Sequence, residues 1–297
     1  RAIWSLLESV WQARLTGPVI RRHSPGEEVR LFECPACGLR FFEPLQGGDR
    51  DFYRELGDSP RYYSPWKWEF GWTLERLHPA MSVLDAGCGK GDFLAEAASR
   101  VARTVGLEWN PAAAAEAVRR GLSVRTIDVT EFSKDNSGAF DAACAFHVLE
   151  HLSAPLPFLR SLLGCLRPGG SLFLSVPNRM RSARDPLEPL DCPPHHLTHW
   201  GPAQLRRLGE VLGLRLVELC FEPVEAGVPR ERLREAVRGA ASWIPAVGNF
   251  LGTWAGRAAA RLLYPGFLCA IYHRTGILER MGYYGHSMAA RYTKPDA

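Results

Sequence analysis

The chain has little cysteine, no strong excess of charge and no long apolar run at its start. Eight cysteines in 297 residues are too few for a disulfide scaffold. Cys144 and Cys165 fall in apolar patterns that read as buried thiols, so a reducing, cytoplasmic setting is expected. The net charge of +4 is small for this length, and no dense Lys/Arg run interleaves with aromatics. Nucleic acid is therefore not expected as a partner. No basic stretch followed by an apolar run opens the sequence, which begins at Arg1, so no secretory leader is read. Residues 239–256 carry no charge but are interrupted by Pro245, Gly248 and Asn249. That is poor for a membrane span, which needs about 20 strongly apolar residues. What is present, 46% hydrophobic and 23% charged residues, suits a soluble globular protein. The length can bury one large core with an appendage.

The chain is organised around Val83-Leu84-Asp85-Ala86-Gly87-Cys88-Gly89-Lys90-Gly91-Asp92. A short apolar strand ends in an acid, three glycines alternate, and a helical pattern follows with Phe93, Leu94, Ala97 and Ala98 on one face. Glycine lets the backbone adopt φ > 0 and lets a ligand approach closely. A dinucleotide loop would place its third glycine one residue later; here Asp92 stands there. A carboxylate at a helix start opposes a phosphate, and Asp85 adds negative charge. The stretch suits a nucleotide-like ligand that carries positive groups and no phosphate, as S-adenosylmethionine does with its ammonium and sulfonium.

Thr104–Glu108 reads as a second strand ending in an acid, 23 residues after Asp85, close to the roughly 20 expected for an acid that holds ribose hydroxyls. Val124–Asp128, Phe140–Phe146 and Ser171–Val176 read as further strands. Asn110-Pro111 opens a helix that Gly121 ends. Strands alternating with helices predict an α/β fold with a doubly wound, mostly parallel sheet. Arg215–Phe221 reads as a sixth strand and His286–Thr293 as a seventh, antiparallel at the edge.

Asp85 to Gly91, Glu108, Asp128, Phe140 to Leu152 and Leu166-Arg-Pro-Gly-Gly170, taken in order, resemble the class I S-adenosylmethionine-dependent methyltransferases over roughly residues 60 to 222. The resemblance implies a seven-stranded Rossmann-like fold and S-adenosylmethionine as cofactor. It puts Asp85, Ala86, Gly87, Cys88, Gly89 and Gly91 against the methionine part and gives both ribose hydroxyls to Glu108. It gives the adenine edge to Asp128 and Val129, and has Trp109 and the segment Phe146, His147 and Val148 line the pocket. Residues 59–78, dense in aromatics, would cover the cofactor, with Tyr63 and Lys67 reaching its carboxylate. Packing of these aromatics on the sheet edge is the equal alternative.

Residues 1–58 differ in character. Ile3, Leu6, Leu7, Val10 and Trp11 fall at helical spacing, and Cys34-Pro35-Ala36-Cys37-Gly38 followed by aromatics looks like one knuckle of a zinc ribbon. A structural zinc needs four ligands, and Cys34 and Cys37 supply two; the missing pair is expected upstream of Arg1. Methyltransferases with such an N-terminal ribbon hint at a secondary-metabolite or glycan-type acceptor. The expected organisation is thus residues 1–58 as a helix and knuckle, 59–222 as the cofactor-binding core, 223–283 as a helical insertion and 284–297 as the last core strand. For the insertion the first reading is a lid or a homodimer surface; the second is a hairpin lying on a membrane through residues 239–272.

Two histidine-bearing segments remain. His147-x-x-Glu150-His151 alone matches a zinc-peptidase pattern, but a peptidase has no use for the acid-tipped strands and glycine turn upstream. Some quinone-pathway O-methyltransferases bind a divalent cation through Glu-x-x-Glu-His at this place; His147 replaces the first Glu here. Pro193-Pro194-His195-His196-Leu197-Thr198-His199 follows the fifth strand, where loops supply substrate contacts. A three-ligand metal site is not expected there, because neighbours in an extended segment point to opposite faces. His195, His196 and then His151 are the candidates for a general base. The expected function is methyl transfer to a small-molecule acceptor, favouring oxygen. The alternatives are a non-catalytic binding protein of the same fold and, disfavoured by Asp92, a nicotinamide-dependent oxidoreductase.

Overall fold

A computed structural model describes residues 2–24, 28–183, 189–222 and 285–296. Helices α1 (Ala2–Trp11) and α2 (Gly17–Arg22) precede a hairpin of β1 (Arg30–Glu33) and β2 (Arg40–Glu43), then α3 (Arg50–Gly57) and α4 (Trp68–Leu74). Strands and helices then alternate: β3 (Ser82–Ala86), α5 (Asp92–Ala98), β4 (Arg103–Leu107), α6 (Pro111–Arg119), β5 (Val124–Arg125), α7 (Val129–Lys134), β6 (Phe140–Phe146), α8 (Pro155–Cys165) and β7 (Leu166–Pro177). After these come β8 (Thr198–His199), α9 (Pro202–Leu212), β9 (Arg215–Phe221) and β10 (Ser287–Thr293).

Seven strands form one sheet in the order β5-β4-β3-β6-β7-β10-β9. The pairings β5/β4, β4/β3, β3/β6 and β6/β7 are parallel, and β10 runs antiparallel to β7. The expected α/β sheet is thus present. The seventh strand, however, lies inside it between β7 and β9, and β9 is the edge. Order reverses at β3: the chain steps outward to β4 and β5, then returns to β6 on the other side. The crevice beyond the carboxyl ends of β3 and β6 is where such sheets bind ligands.

Local chemistry sets the helix starts. Asn110 caps α6 by accepting from the Ala112 amide at 3.0 Å, with Pro111 at the first helical position. Asp49 caps α3 through the Phe52 amide at 2.9 Å. Phe93, Leu94 and Ala97 of α5 are buried as their spacing predicts. Phe93 meets Phe70 of α4 and Phe146 of β6 with ring centroids 5.6 and 4.9 Å apart, in a core that includes Val83, Ala142, Cys144 and Phe173. Each such ring pair contributes about 0.5–1.5 kcal/mol beyond its buried area.

A second core joins Leu7, Ala13 and Val19 to Phe52, Leu56 and Leu190. The contacts divide the chain into two units, Arg1–Cys220 with Ser287–Ala297, and Phe221–His286. Residues 1–58 therefore pack within the first unit. The insertion expected at 223–283 lies outside the described residues. Among the described residues no helix is long and apolar enough to cross a membrane.

Candidate active site

The turn after β3 is a tight backbone loop. Gly87, Gly89 and Gly91 all have positive φ, and the amides of Gly87 and Cys88 both donate to the Leu107 carbonyl at the end of β4. At Gly87 the requirement is twofold: φ is +85°, and an added Cβ would stand 2.5 Å from Val148. At Gly89, with φ +56°, it would stand 3.1 Å from the Tyr63 ring. Tyr63 therefore lies over the turn. Its hydroxyl accepts from Asn110 Nδ2 at 3.3 Å, and Lys90 Nζ stands 5.4 Å from its ring.

Two carboxylates face this turn. Glu108 accepts from the Gly89 amide at 2.8 Å and from the Asn110 amide at 2.6 Å. Burial raises its pKa, against the lowering by these backbone donors. Asp85 is buried, and its Oδ1 has no hydrogen-bond partner. Burial, with Glu108 nearby, pushes its carboxyl up to about 8, and only Lys67 acts the other way. An orphaned buried carboxylate oxygen beside a second acid marks a site short of positive charge. An ammonium-bearing ligand meets that need, so the residues present fit S-adenosylmethionine. Ala86 and Cys88 are buried in the turn. Asp92 pairs with Arg120 at 2.7 Å, so its charge is already balanced.

Beyond β6 the chain makes a sharp turn in which His147 has φ +54°. Its Nε2 lies 2.8 Å from Glu69 Oε1 on α4, and its Nδ1 lies 3.3 Å from Glu150 Oε1. The second approach is an ion-pair distance without hydrogen-bond geometry, and neither oxygen of the buried Glu150 accepts a hydrogen bond. Burial and Lys67 lower the His147 pKa, but the two carboxylates outweigh them and raise it. Glu69 and Glu150 are both held below the usual carboxylate range: burial opposes this, and His147 overcomes it. The two carboxylates thus favour the protonated form of the ring that lies between them. Glu69 carries no sequence motif; only a buried acid in the first turn of an aromatic helix marked it.

His151, His195 and His196 come together. Ring centroids are 4.4 Å apart for His151 and His195, 5.0 Å for His151 and His196, and 4.5 Å for the stacked His195 and His196. One nitrogen from each lies within 4.8 Å of those of the other two. This corrects the expectation that neighbouring histidines diverge. The segment is a turn in which the amides of both His195 and His196 donate to the Cys192 carbonyl, so the pleat alternation of a strand does not apply. The Nδ1–H groups donate from His151 to the His195 carbonyl at 2.9 Å, from His195 to the Leu190 carbonyl at 3.0 Å, and from His196 to Asp191 Oδ1 at 3.2 Å. Burial pushes His151 down to about 4 and His195 well below its ordinary value, so both are neutral near pH 7. Tyr53 and Tyr62 pack edge-on against the group. His199 does not join it: its Nε2–H donates to the Asp191 carbonyl at 2.7 Å, and its ring meets Phe42.

The remaining predicted residues are placed as follows. Asp128 is exposed and caps α7 through the Thr130 amide at 2.7 Å, and Val129 is buried behind it. Trp109 is 58% exposed beside Glu108. Phe146 is buried in the core. In the aromatic segment, Tyr63 covers the turn while Phe70 and Trp72 pack on the sheet. Cys34 and Cys37 flank the turn between β1 and β2. Amides of Cys37 and Ala36 lower the Cys34 thiol pKa. Among the described residues, the group of three or more ligand-type side chains is the histidine one and does not include the two cysteines. β2 also pairs with β8, so the hairpin is anchored to the histidine-bearing segment.

A family model described as a methyltransferase domain matches residues 59–219, more than half of the chain. A protein named ubiquinone biosynthesis O-methyltransferase from Xanthomonas axonopodis pv. citri is 35% identical over 116 residues, covering 36% of this chain and 48% of the relative. A probable S-adenosylmethionine-dependent methyltransferase from Mycolicibacterium smegmatis is 32% identical over 139 residues, covering 45% of this chain and 52% of the relative. The chain thus spans about half the length of these curated relatives. A solved SAM-dependent methyltransferase from Archaeoglobus fulgidus superposes with a TM-score of 0.52 at 18% identity, covering 83% of this chain and 95% of that one. The [4+2]-cyclase SpnF superposes with a TM-score of 0.50 at 21% identity, covering 83% of each chain. At these identities the likeness is one of fold.

Proposed function

This chain belongs to the methyltransferase-domain family, and from that premise we propose that it moves a methyl group from S-adenosylmethionine to a small-molecule acceptor, with an acceptor oxygen as the favoured target. The observation that carries this reading is the buried Asp85 Oδ1, without a hydrogen-bond partner, beside Glu108 at the glycine turn. The bound cofactor supplies a methyl group on a sulfonium, already a strong electrophile. Asp85 would face its ammonium and Glu108 its ribose hydroxyls, while Tyr63 and Lys67 would take its carboxylate. Trp109, Phe146 and His147 would line the pocket, and Asp128 and Val129 would meet the adenine edge.

The chain's own work is to hold the acceptor in line and to exclude water. The acceptor oxygen is assigned to the histidine group. There His196, oriented by Asp191, accepts its proton in the metal-free chain. The relatives named as ubiquinone O-methyltransferases support oxygen as the target; the hint of a glycan or secondary metabolite rests on the knuckle alone.

The test is calorimetric titration of the full chain with S-adenosylhomocysteine, with NAD as control. Saturable binding of the first and none of the second is expected. Absence of S-adenosylhomocysteine binding by folded protein overturns the reading and leaves a fold with another use.

A further inference from the structure

We propose that His151, His195 and His196 form a binding site for a divalent transition metal, zinc-like in its preference, with a coordination position open to the acceptor. Three observations carry this. One ring nitrogen from each histidine lies within 4.8 Å of the other two. An ion about 2.0–2.1 Å from each would draw the rings in by less than about 1 Å.

The tautomers are already set. Each Nδ1–H donates to a carbonyl or carboxylate oxygen: His195 and Leu190 supply the carbonyls, Asp191 the carboxylate. The lone pair of every ring therefore sits on Nε2. A hydrogen bond from the far nitrogen to an oxygen is the usual outer shell of a metal-binding imidazole. At His195 the ion would replace a long hydrogen bond from the Tyr62 hydroxyl at 3.3 Å.

Finally, the charge around the group is short of a cation. Glu150 is buried, lies 3.8 Å from His151 Nε2, and accepts no hydrogen bond on either oxygen. Its partner His147 is shared with Glu69, so one ring faces two carboxylates. A buried carboxylate that accepts no hydrogen bond, beside three clustered imidazoles, is a setting that a cation suits.

Three imidazoles with no thiolate favour zinc, iron, cobalt or nickel over magnesium or calcium. Three protein ligands also leave a fourth position open, as catalytic rather than structural sites do. The use of that position rests on the methyl-transfer reading: an acceptor hydroxyl reaching it would ionise at a lower pH. The metal site itself does not rest on that reading.

The test is titration of the chelator-treated, full-length chain with Co2+, followed by visible absorption, with S-adenosylhomocysteine binding measured on the same samples. One Co2+ per chain is expected, with the absorption of a low-coordinate nitrogen site and no thiolate charge-transfer band. His195→Ala and His196→Ala should each weaken binding by at least about 100-fold, and Asp191→Asn by about 10–100-fold. S-adenosylhomocysteine affinity should stay unchanged in all three. The double variant Cys34→Ser/Cys37→Ser should keep the wild-type spectrum, which separates this site from the knuckle. Should the alanine variants not fold, X-ray absorption of zinc-loaded wild-type protein decides: imidazole scattering without sulfur supports the site, and sulfur ligation overturns it. Wild-type protein that binds S-adenosylhomocysteine but neither Co2+ nor Zn2+ also overturns it. Co2+ binding without S-adenosylhomocysteine binding upholds the metal site and sinks the methyltransferase reading instead.

Discussion

The glycine turn and the histidine group lie beyond the same ends of the parallel strands, and both gather buried polar groups, but they are built in opposite ways. At the turn, one carboxylate meets backbone amides within a span of 22 residues: Glu108 accepts from Gly89 and Asn110. In the histidine group, side chains meet across the chain, with His151 from the segment after β6 and His195 and His196 from the loop after β7. The first is a short-range motif completed by a turn. The second exists only once the sheet has brought two loops together. In each, a buried carboxylate oxygen accepts no hydrogen bond: Oδ1 of Asp85 in the one, both oxygens of Glu150 in the other. That shared lack of a partner, rather than any shared motif, is what the two regions have in common.

The largest effect that separates the two regions is expected at Glu108. Its carboxylate accepts two backbone hydrogen bonds, and hydrogen bonds to charged groups contribute about 1.5–3 kcal/mol each. Glu108→Ala should weaken S-adenosylhomocysteine binding by at least about 100-fold in calorimetry while leaving Co2+ binding intact. Equal loss of both ligands would show that the two regions are one cooperative unit.

Asp85→Asn is next. A carboxyl raised to about 8 in the folded chain binds more protons than the unfolded chain does from about pH 4 to 8. Its contribution to stability therefore falls as pH rises through that window. The variant should flatten this decline, gaining a few kcal/mol of stability near pH 8 by denaturant titration, and should lose cofactor affinity. A variant no more stable than wild type at pH 8 would mean that Asp85 is not strained.

The histidine group should titrate with the opposite sign. His151 is pushed down to about 4 and His195 well below its ordinary value, both by burial. The unfolded chain therefore takes up protons first, as pH falls below about 6.5. Stability from these rings is full above about pH 6.5 and drains away as pH falls toward 4, by roughly 2–3 kcal/mol for His151 alone. His147, raised by its carboxylates, runs the other way: its share is full below about 6.5 and is lost as pH rises. Thermal melts from pH 7 to 5 should therefore show a falling Tm that His147→Gln makes steeper. A His147→Gln slope no steeper than wild type would refute the buried imidazolium.

The sheet was legible because each strand of the alternating half carries its own signal: an apolar run bounded by turn residues, with an acid at the tip of the first three. The glycine turn was legible for the same reason, since its chemistry is contiguous from Val83 to Gly91. Asp128 shows the limit of that reading. The strand before it ends at Arg125, and the acid spends an oxygen on the Thr130 amide, because an Asp ahead of a helix satisfies free amides whatever else it does. The place of the last strand was misjudged, because nothing local says that β10 enters between β7 and β9. The histidine group was half legible. Its members were visible one by one, but their convergence needed a turn at Cys192 that the sequence presents as an extended Pro-rich run. Glu69 was hidden altogether, since its partner His147 is 78 residues away.

The smallest expected effect concerns Asp92, the residue that steered the ligand assignment from sequence. It lies in the first turn of α5, where a carboxylate also favours the helix dipole. Its partner Arg120 bonds it at 2.7 Å and also donates to the Lys90 carbonyl at 2.7 Å. Both side chains are partly exposed, and such pairs contribute about 0–1 kcal/mol. Arg120→Ala should therefore cost less than about 1 kcal/mol in stability. The Lys90 carbonyl it leaves is close enough to solvent to find water. S-adenosylhomocysteine affinity should change by less than about threefold, because the deficit of positive charge that selects the ligand sits at Asp85 and Glu108. A tenfold change would place Asp92 in the ligand's own field, and the comparison between the turn and the histidine group would need a third acidic member.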